Sequence, residues 1–298
     1  MTRSNLSLLT PPQEKEEIHP YRRPWRSLVF ETAIVFGVAA VLYALVNILG
    51  IKFPPRFYPV IGLGLALLPL GLWLAFSWWP ERRVPQPRQR LLTVVIISAL
   101  VANAIGIPLV NDFLQVDRWL PLDSAINRII GYTFTAGIIQ EMSKYLVLRY
   151  TVWTECFRTR LDAVAYAAAA AVGYAVALNW HFLLTSTTPP DVMAGHVLNN
   201  LVLNVVSGLI VSYGLAELRF GLPTPLFMTV TIALGAFVTG TAIPVRAGLV
   251  NPDFSLGISG PKTLFGLGFA AGLFVAIPLV IAFLYASAER REQEAVEE

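Results

Sequence analysis

The sequence predicts an all-α protein: a polytopic bundle of about eight transmembrane helices with both termini in the cytoplasm. Three observations carry that expectation. Hydrophobic residues make up 55% of the 298-residue chain, and its mean hydropathy is +0.62. Charged residues are only 14% of it, where a soluble domain carries about 25%. The apolar residues gather in runs close to the roughly 20 residues that a bilayer crossing needs. Together these exclude a disordered chain, a secreted disulfide scaffold and almost any soluble enzyme of this size. The single Cys156 excludes an internal disulfide and a Cys-based zinc ribbon. A net charge of +3 is too small to argue for a nucleic-acid partner.

Residues 1–26 form a polar, Pro-containing cytoplasmic tail. The first apolar run, 28–50, is too long for a signal peptide and lacks a small-residue cleavage site. The second run, 57–79, leads into a Pro-rich linker over 80–90, and the third covers 91–111. The fourth, 128–152, is the most polar, and the fifth, 162–184, is rich in alanine. The sixth and seventh runs cover 195–217 and 225–244, and a Gly- and Pro-containing outer loop follows over 245–262. The eighth covers 263–286, so the bundle domain is 27–286 and 287–298 is a solvated cytoplasmic tail. With the N-terminus inside, the inner segments hold 15 Lys and Arg and the outer loops 6, and Lys144 lies within a span. That asymmetry supports both termini in the cytoplasm, and the expected location is the plasma membrane, among lipid. No internal repeat is visible, which argues against an inverted-repeat transporter.

Ionisable residues inside a span cost about 2.5–3.5 kcal/mol each on insertion scales, so each asks for a function or a partner. In the fourth run Gly137, Gln140, Glu141 and Lys144 fall within one arc of the helix. Glu141 and Lys144 are i,i+3 neighbours, either a self-neutralising structural pair or a working carboxylate held ionised by the lysine. In the fifth run Tyr174 and His181 share a face, whereas Asn179 and His181 point apart. In the sixth, His196, Asn199, Asn200, Asn204 and Ser207 form a polar stripe. Such a stripe must look into the bundle or a watery cavity, as a site or as interhelical hydrogen-bond glue. Helical rise puts Asn204 nearest Glu141 in depth, with His196 well further out. A Glu141–Lys144–Asn204 cluster therefore needs no distortion, but a Glu141–His196 metal site does. His19 lies in the tail, so a zinc site would have to draw on Glu141, His181 and His196, with Asn179 as a further donor. No HExxH helix and no GxSxG elbow is present.

Three segments resemble the PrsW-type intramembrane proteases, relatives of the type II CAAX endopeptidase and bacteriocin-processing group. IIQEMSKY is similar to that family's EExxK motif at Glu141 and Lys144. Asp162 followed by GYAVALN, ending at Asn179, is similar to its second motif, and HVLNNLVLNVVSG to its third at His196 and Gly208. The sequence departs from the pattern at Gln140 and Leu178, where glutamates are expected, and no histidine follows His196. The resemblance implies peptide-bond hydrolysis in membrane-anchored proteins such as anti-sigma factors. Glu141 would be the acid–base group, His196 and Asn179 the carbonyl or metal contacts, and Lys144, Gln140, Asp162, Asn200 and Asn204 would support them. Glutamine cannot act as a general base and leucine carries no proton. The departures keep a second expectation open, a non-catalytic pseudoprotease that binds transmembrane partners within a larger membrane complex.

Overall fold

The structure, a computed structural model, describes residues 23–120, 125–221, 226–246 and 262–297. Among these every regular element is helical. Seven helices are long and apolar enough to cross a membrane. They are α1 (Pro24–Ile48), α2 (Pro55–Glu81), α3 (Leu91–Phe113), α5 (Arg160–Thr185), α6 (Pro190–Phe220), α7 (Phe227–Arg246) and α8 (Lys262–Glu297). The remaining expected crossing is present as α4, helical without a break over 125–151. It falls short on apolarity, because it carries Arg128, Glu141, Lys144 and Arg149. The tail residues 1–22 and most of the outer loop, 247–261, lie outside the described residues. Helix α8 runs on through the segment expected as a solvated tail.

Contacts at the two ends of the bundle fix the path of the chain. One end is rich in arginine. There Arg88 pairs with Glu81 and Asp162, Arg160 pairs with Glu217, and Ser77 donates to Glu31. At the opposite end Asn47 donates to Asp191, and Asn111 meets His181. Helix α4 reaches both ends. Its Tyr132 packs with Val116, Leu120 and Ile243, while Arg90 donates to its Thr151 carbonyl at 2.9 Å. Tyr285 of α8 meets Tyr213 of α6 at 5.4 Å, close to the arginine-rich end. Among the described residues eight helices thus run between the two ends, seven of them apolar enough to cross a membrane, with α1 starting and α8 finishing at the arginine-rich end.

Helices α5 and α6 form the centre. In each, 78% of the most apolar window is buried, against 22–33% in α1, α2, α3 and α8, which face lipid. The alanine run over 167–171 is what lets neighbours approach. Ser98 of α3 donates to the Ala170 carbonyl at 2.7 Å. A Cβ on Gly173 would stand 2.2 Å from the Val95 carbonyl oxygen. Two π turns, Leu74–Trp78 and Ala102–Gly106, end just ahead of Pro80 and Pro108. A proline ring crowds the carbonyl four residues back, and the wider turn relieves that crowding. Three further π turns, Ala44–Ile48, Leu109–Phe113 and Thr133–Gly137, are followed by no such proline, and the last ends three residues before Gln140.

Candidate functional site

Four helices build the site. Helix α4 supplies Glu141 and Lys144, both fully buried and 2.8 Å apart. Glycines bring the neighbouring α7 close enough to cover them. A Cβ on Gly137 would lie 2.4 Å from the Ala236 carbonyl oxygen, and one on Gly235 only 3.3 Å from Glu141 Oε2. Lys144 Nζ also donates to Ser207 Oγ at 2.7 Å and to the Asn204 carbonyl at 3.4 Å. Its three ammonium protons therefore meet three acceptors. Glu141 Oε1 accepts from Lys144 and, at 3.1 Å, from Thr239 Oγ1 of α7. Glu141 Oε2 is buried without a hydrogen-bond partner.

The cluster of Glu141, Lys144 and Asn204 expected from helix depth is therefore formed, through the Asn204 backbone. The Asn204 side chain donates to the Asn200 carbonyl at 2.9 Å, and its Oδ1 is buried without a partner. One turn outward, Asn200 Nδ2 donates to Asn179 Oδ1 at 2.9 Å and lies 2.9 Å from His196 Nε2. Asn179 is fully buried, and its Nδ2 has no partner. The His196 ring stacks on Phe182 with centroids 3.7 Å apart. Asn199 turns back to the Gly195 carbonyl of its own helix.

A cavity of about 360 Å³ opens between these helices. Its inner wall carries Gln140, Asn204, Leu203 and Thr239, and its middle Asn200, His196 and Leu178. Tyr174 and His181 both line it, as their shared helical face predicts, with Arg128 and Tyr132 toward the outer end. Glu141 does not line the cavity. Thr239 bridges the two, with its side chain in the lining and its hydroxyl on the carboxylate.

Asp162 stands apart from this group, at the arginine-rich end. At the start of α5 its carboxylate accepts from the Arg158 and Thr159 amides, and it pairs with Arg88 at 2.6 Å. Burial works against the Arg88 charge, but Asp162 and Glu81 outweigh it and raise the guanidinium pKa above its ordinary value.

A zinc ion does not fit these side chains as they stand. Among the described residues no three His, Cys, Asp or Glu side chains gather within reach of one ion. Glu141 is held by an ammonium that a cation would have to displace. His181 and His196 each present Nε2 to an asparagine instead of to a shared centre. Sequence reasoning missed Thr239 and Arg128 as site residues. Thr239 is one small polar residue in an apolar run. Arg128 is one of the six cations of the outer segments, with no motif around it.

Residues 86–215 match the sequence model of the PrsW family intramembrane metalloproteases. The matched stretch runs from the linker before α3 into the last turns of α6. It includes Glu141, Lys144, Asp162, Asn179 and His196, but not Thr239. No curated protein and no solved structure matches the chain.

Proposed function

We propose that this multi-pass membrane protein, whose residues 86–215 match the PrsW family model, is an intramembrane endopeptidase acting on membrane-anchored proteins. The observation that carries the reading is the state of Glu141. It is a fully buried carboxylate with one oxygen engaged and the other unpartnered, directly behind a residue of the cavity wall. In this reading Lys144 holds Glu141 in place through their ion pair, and Glu141 serves as the general base. The Thr239 hydroxyl relays the proton: it passes its own to Glu141 and takes one from a water in the cavity as that water attacks the peptide carbonyl. His196, Asn200 and Asn179 hold and polarise the chain to be cut. A peptide offers alternating C=O and N–H groups, and the unpartnered Asn179 Nδ2 and Asn204 Oδ1 are one donor and one acceptor to meet them. No step runs through a metal ion, because the donor set does not converge on one.

A second reading is favoured by a specific observation. Gln140 and Leu178, which stand where the family motifs have glutamates, both line the cavity. An amide and an alkyl group there suit holding a transmembrane segment without proton chemistry, as in a pseudoprotease subunit of a membrane complex. Co-reconstitution with a single-pass reporter protein separates the two. The endopeptidase reading predicts cleavage that falls by about 10²–10⁴-fold in Glu141→Gln, the usual worth of a general base, while the reporter still co-purifies. Stable co-purification with no cleavage by the wild type selects the second reading.

A further inference from the structure

We infer that Arg128 forms an anion-recognition subsite at the outer mouth of the cavity, built for a carboxylate on the substrate's extracytoplasmic side. The inference rests on the reading of the cavity as a peptide site. Arg128 is about nine-tenths buried and lines the cavity, and its Nε has no hydrogen-bond partner. Among the described residues it forms no ion pair, although every other buried arginine or lysine of the bundle does. Among the described residues the cavity wall holds no aspartate or glutamate. The rest of the described wall is amides, hydroxyls, two imidazoles and apolar groups, so among the described residues one cation faces the chamber without a counter-charge. A buried charge without a partner is costly, and an incoming carboxylate would remove that cost. The guanidinium fork also matches a carboxylate in a bidentate manner.

The helix sets the spacing. Arg128 and Gln140 lie on the same continuous helix, 12 residues apart, or about 18 Å at 1.5 Å per residue. An extended chain advances about 3.3 Å per residue. A peptide bond at the Gln140 level thus places Arg128 about five residues outward along the substrate. The substrate class is a membrane-anchored segment with Asp or Glu about five residues outward of the bond held at the cavity floor.

The test is binding, read separately from cleavage. The full chain in nanodiscs, as the Glu141→Gln variant so that nothing is turned over, is titrated with labelled single-pass peptides. These carry either Glu or Gln at the outward position. The Glu peptide should bind at least about tenfold more tightly, and Arg128→Gln should erase that difference. The melting temperature of Arg128→Gln without peptide should not fall, because the change removes an unpaired buried charge. Equal binding of the two peptides overturns the inference. So does an Arg128-dependent rise in melting temperature with phosphatidylglycerol but not with the Glu peptide, which would assign the subsite to a lipid headgroup. Charge-dependent binding without cleavage by the wild type leaves this inference standing and removes the endopeptidase reading. Cleavage without charge preference does the reverse.

Discussion

Replacing Lys144 by methionine leaves Glu141 as a fully buried carboxylate with only the Thr239 hydroxyl beside it. At 2.8 Å, the attraction between the two charges is about 6 kcal/mol at an effective dielectric constant of about 20. Desolvation of both groups offsets most of it, so the pair adds little over an apolar pair of the same size. Breaking it from one side is different. The lysine's loss strands the carboxylate and leaves the acceptors at Ser207 and Asn204 without their ammonium donor, at a cost of about 3–5 kcal/mol. Glu141→Gln together with Lys144→Met removes both charges and should recover most of that loss, ending within about 1.5 kcal/mol of wild type. Reversible unfolding in mixed micelles by added dodecyl sulfate measures all three proteins on one scale. A Lys144→Met loss below about 1 kcal/mol would refute the reasoning. So would a double variant as unstable as the single one.

The other expectations concern packing, the arginine-rich end and metal. Gly137→Ala should cost about 1–3 kcal/mol, since its Cβ would meet the Ala236 carbonyl oxygen at 2.4 Å, whereas Gly208→Ala should be nearly neutral with its nearest neighbour at 3.6 Å; thermal melts compare the two directly. Arg88→Met leaves Glu81 and Asp162 buried and facing each other. It should lower stability by about 3–5 kcal/mol while leaving reporter affinity unchanged, because the network lies away from the cavity; a paired melt and pull-down checks both halves. Purified wild-type protein should carry no stoichiometric zinc and should keep its melting temperature in a strong chelator. Elemental analysis with near-equimolar zinc, lost on His196→Ala, would contradict the donor geometry described above.

What was legible in the sequence followed from rules with a fixed period or a fixed length. Seven crossings could be read because each needs about 20 apolar residues; the polar α4 falls below that measure, though it is helical over the run expected for it. The Glu141–Lys144 pair followed from i,i+3 spacing, and its meeting with Asn204 from helical rise alone. Tyr174 and His181 on one cavity wall followed from their spacing of seven. The link from Asn200 to Asn179 and the Thr239 bond depend on how α5, α6 and α7 are rotated against each other. Hydropathy does not fix rotation, so α7 gave no hint that it would present Thr239 to Glu141. The proposed zinc ligands share chemistry but not depth, and in the structure each is engaged locally. Asp162 did carry a readable signal of its own. Thr159 followed three residues later by an acid is a capping pattern, and Asp162 makes the carboxylate half of it, accepting from the Thr159 amide.

The central claim is that Glu141 directs hydrolysis of a chain lying in the cavity. Mass spectrometry of a single-pass reporter, co-reconstituted with the protein in vesicles prepared in ¹⁸O-water, tests it most directly. The account predicts one new C-terminus inside the reporter's span, carrying ¹⁸O, formed by wild type and absent with Glu141→Gln. An intact reporter, or the same cut with and without the carboxylate, would contradict it.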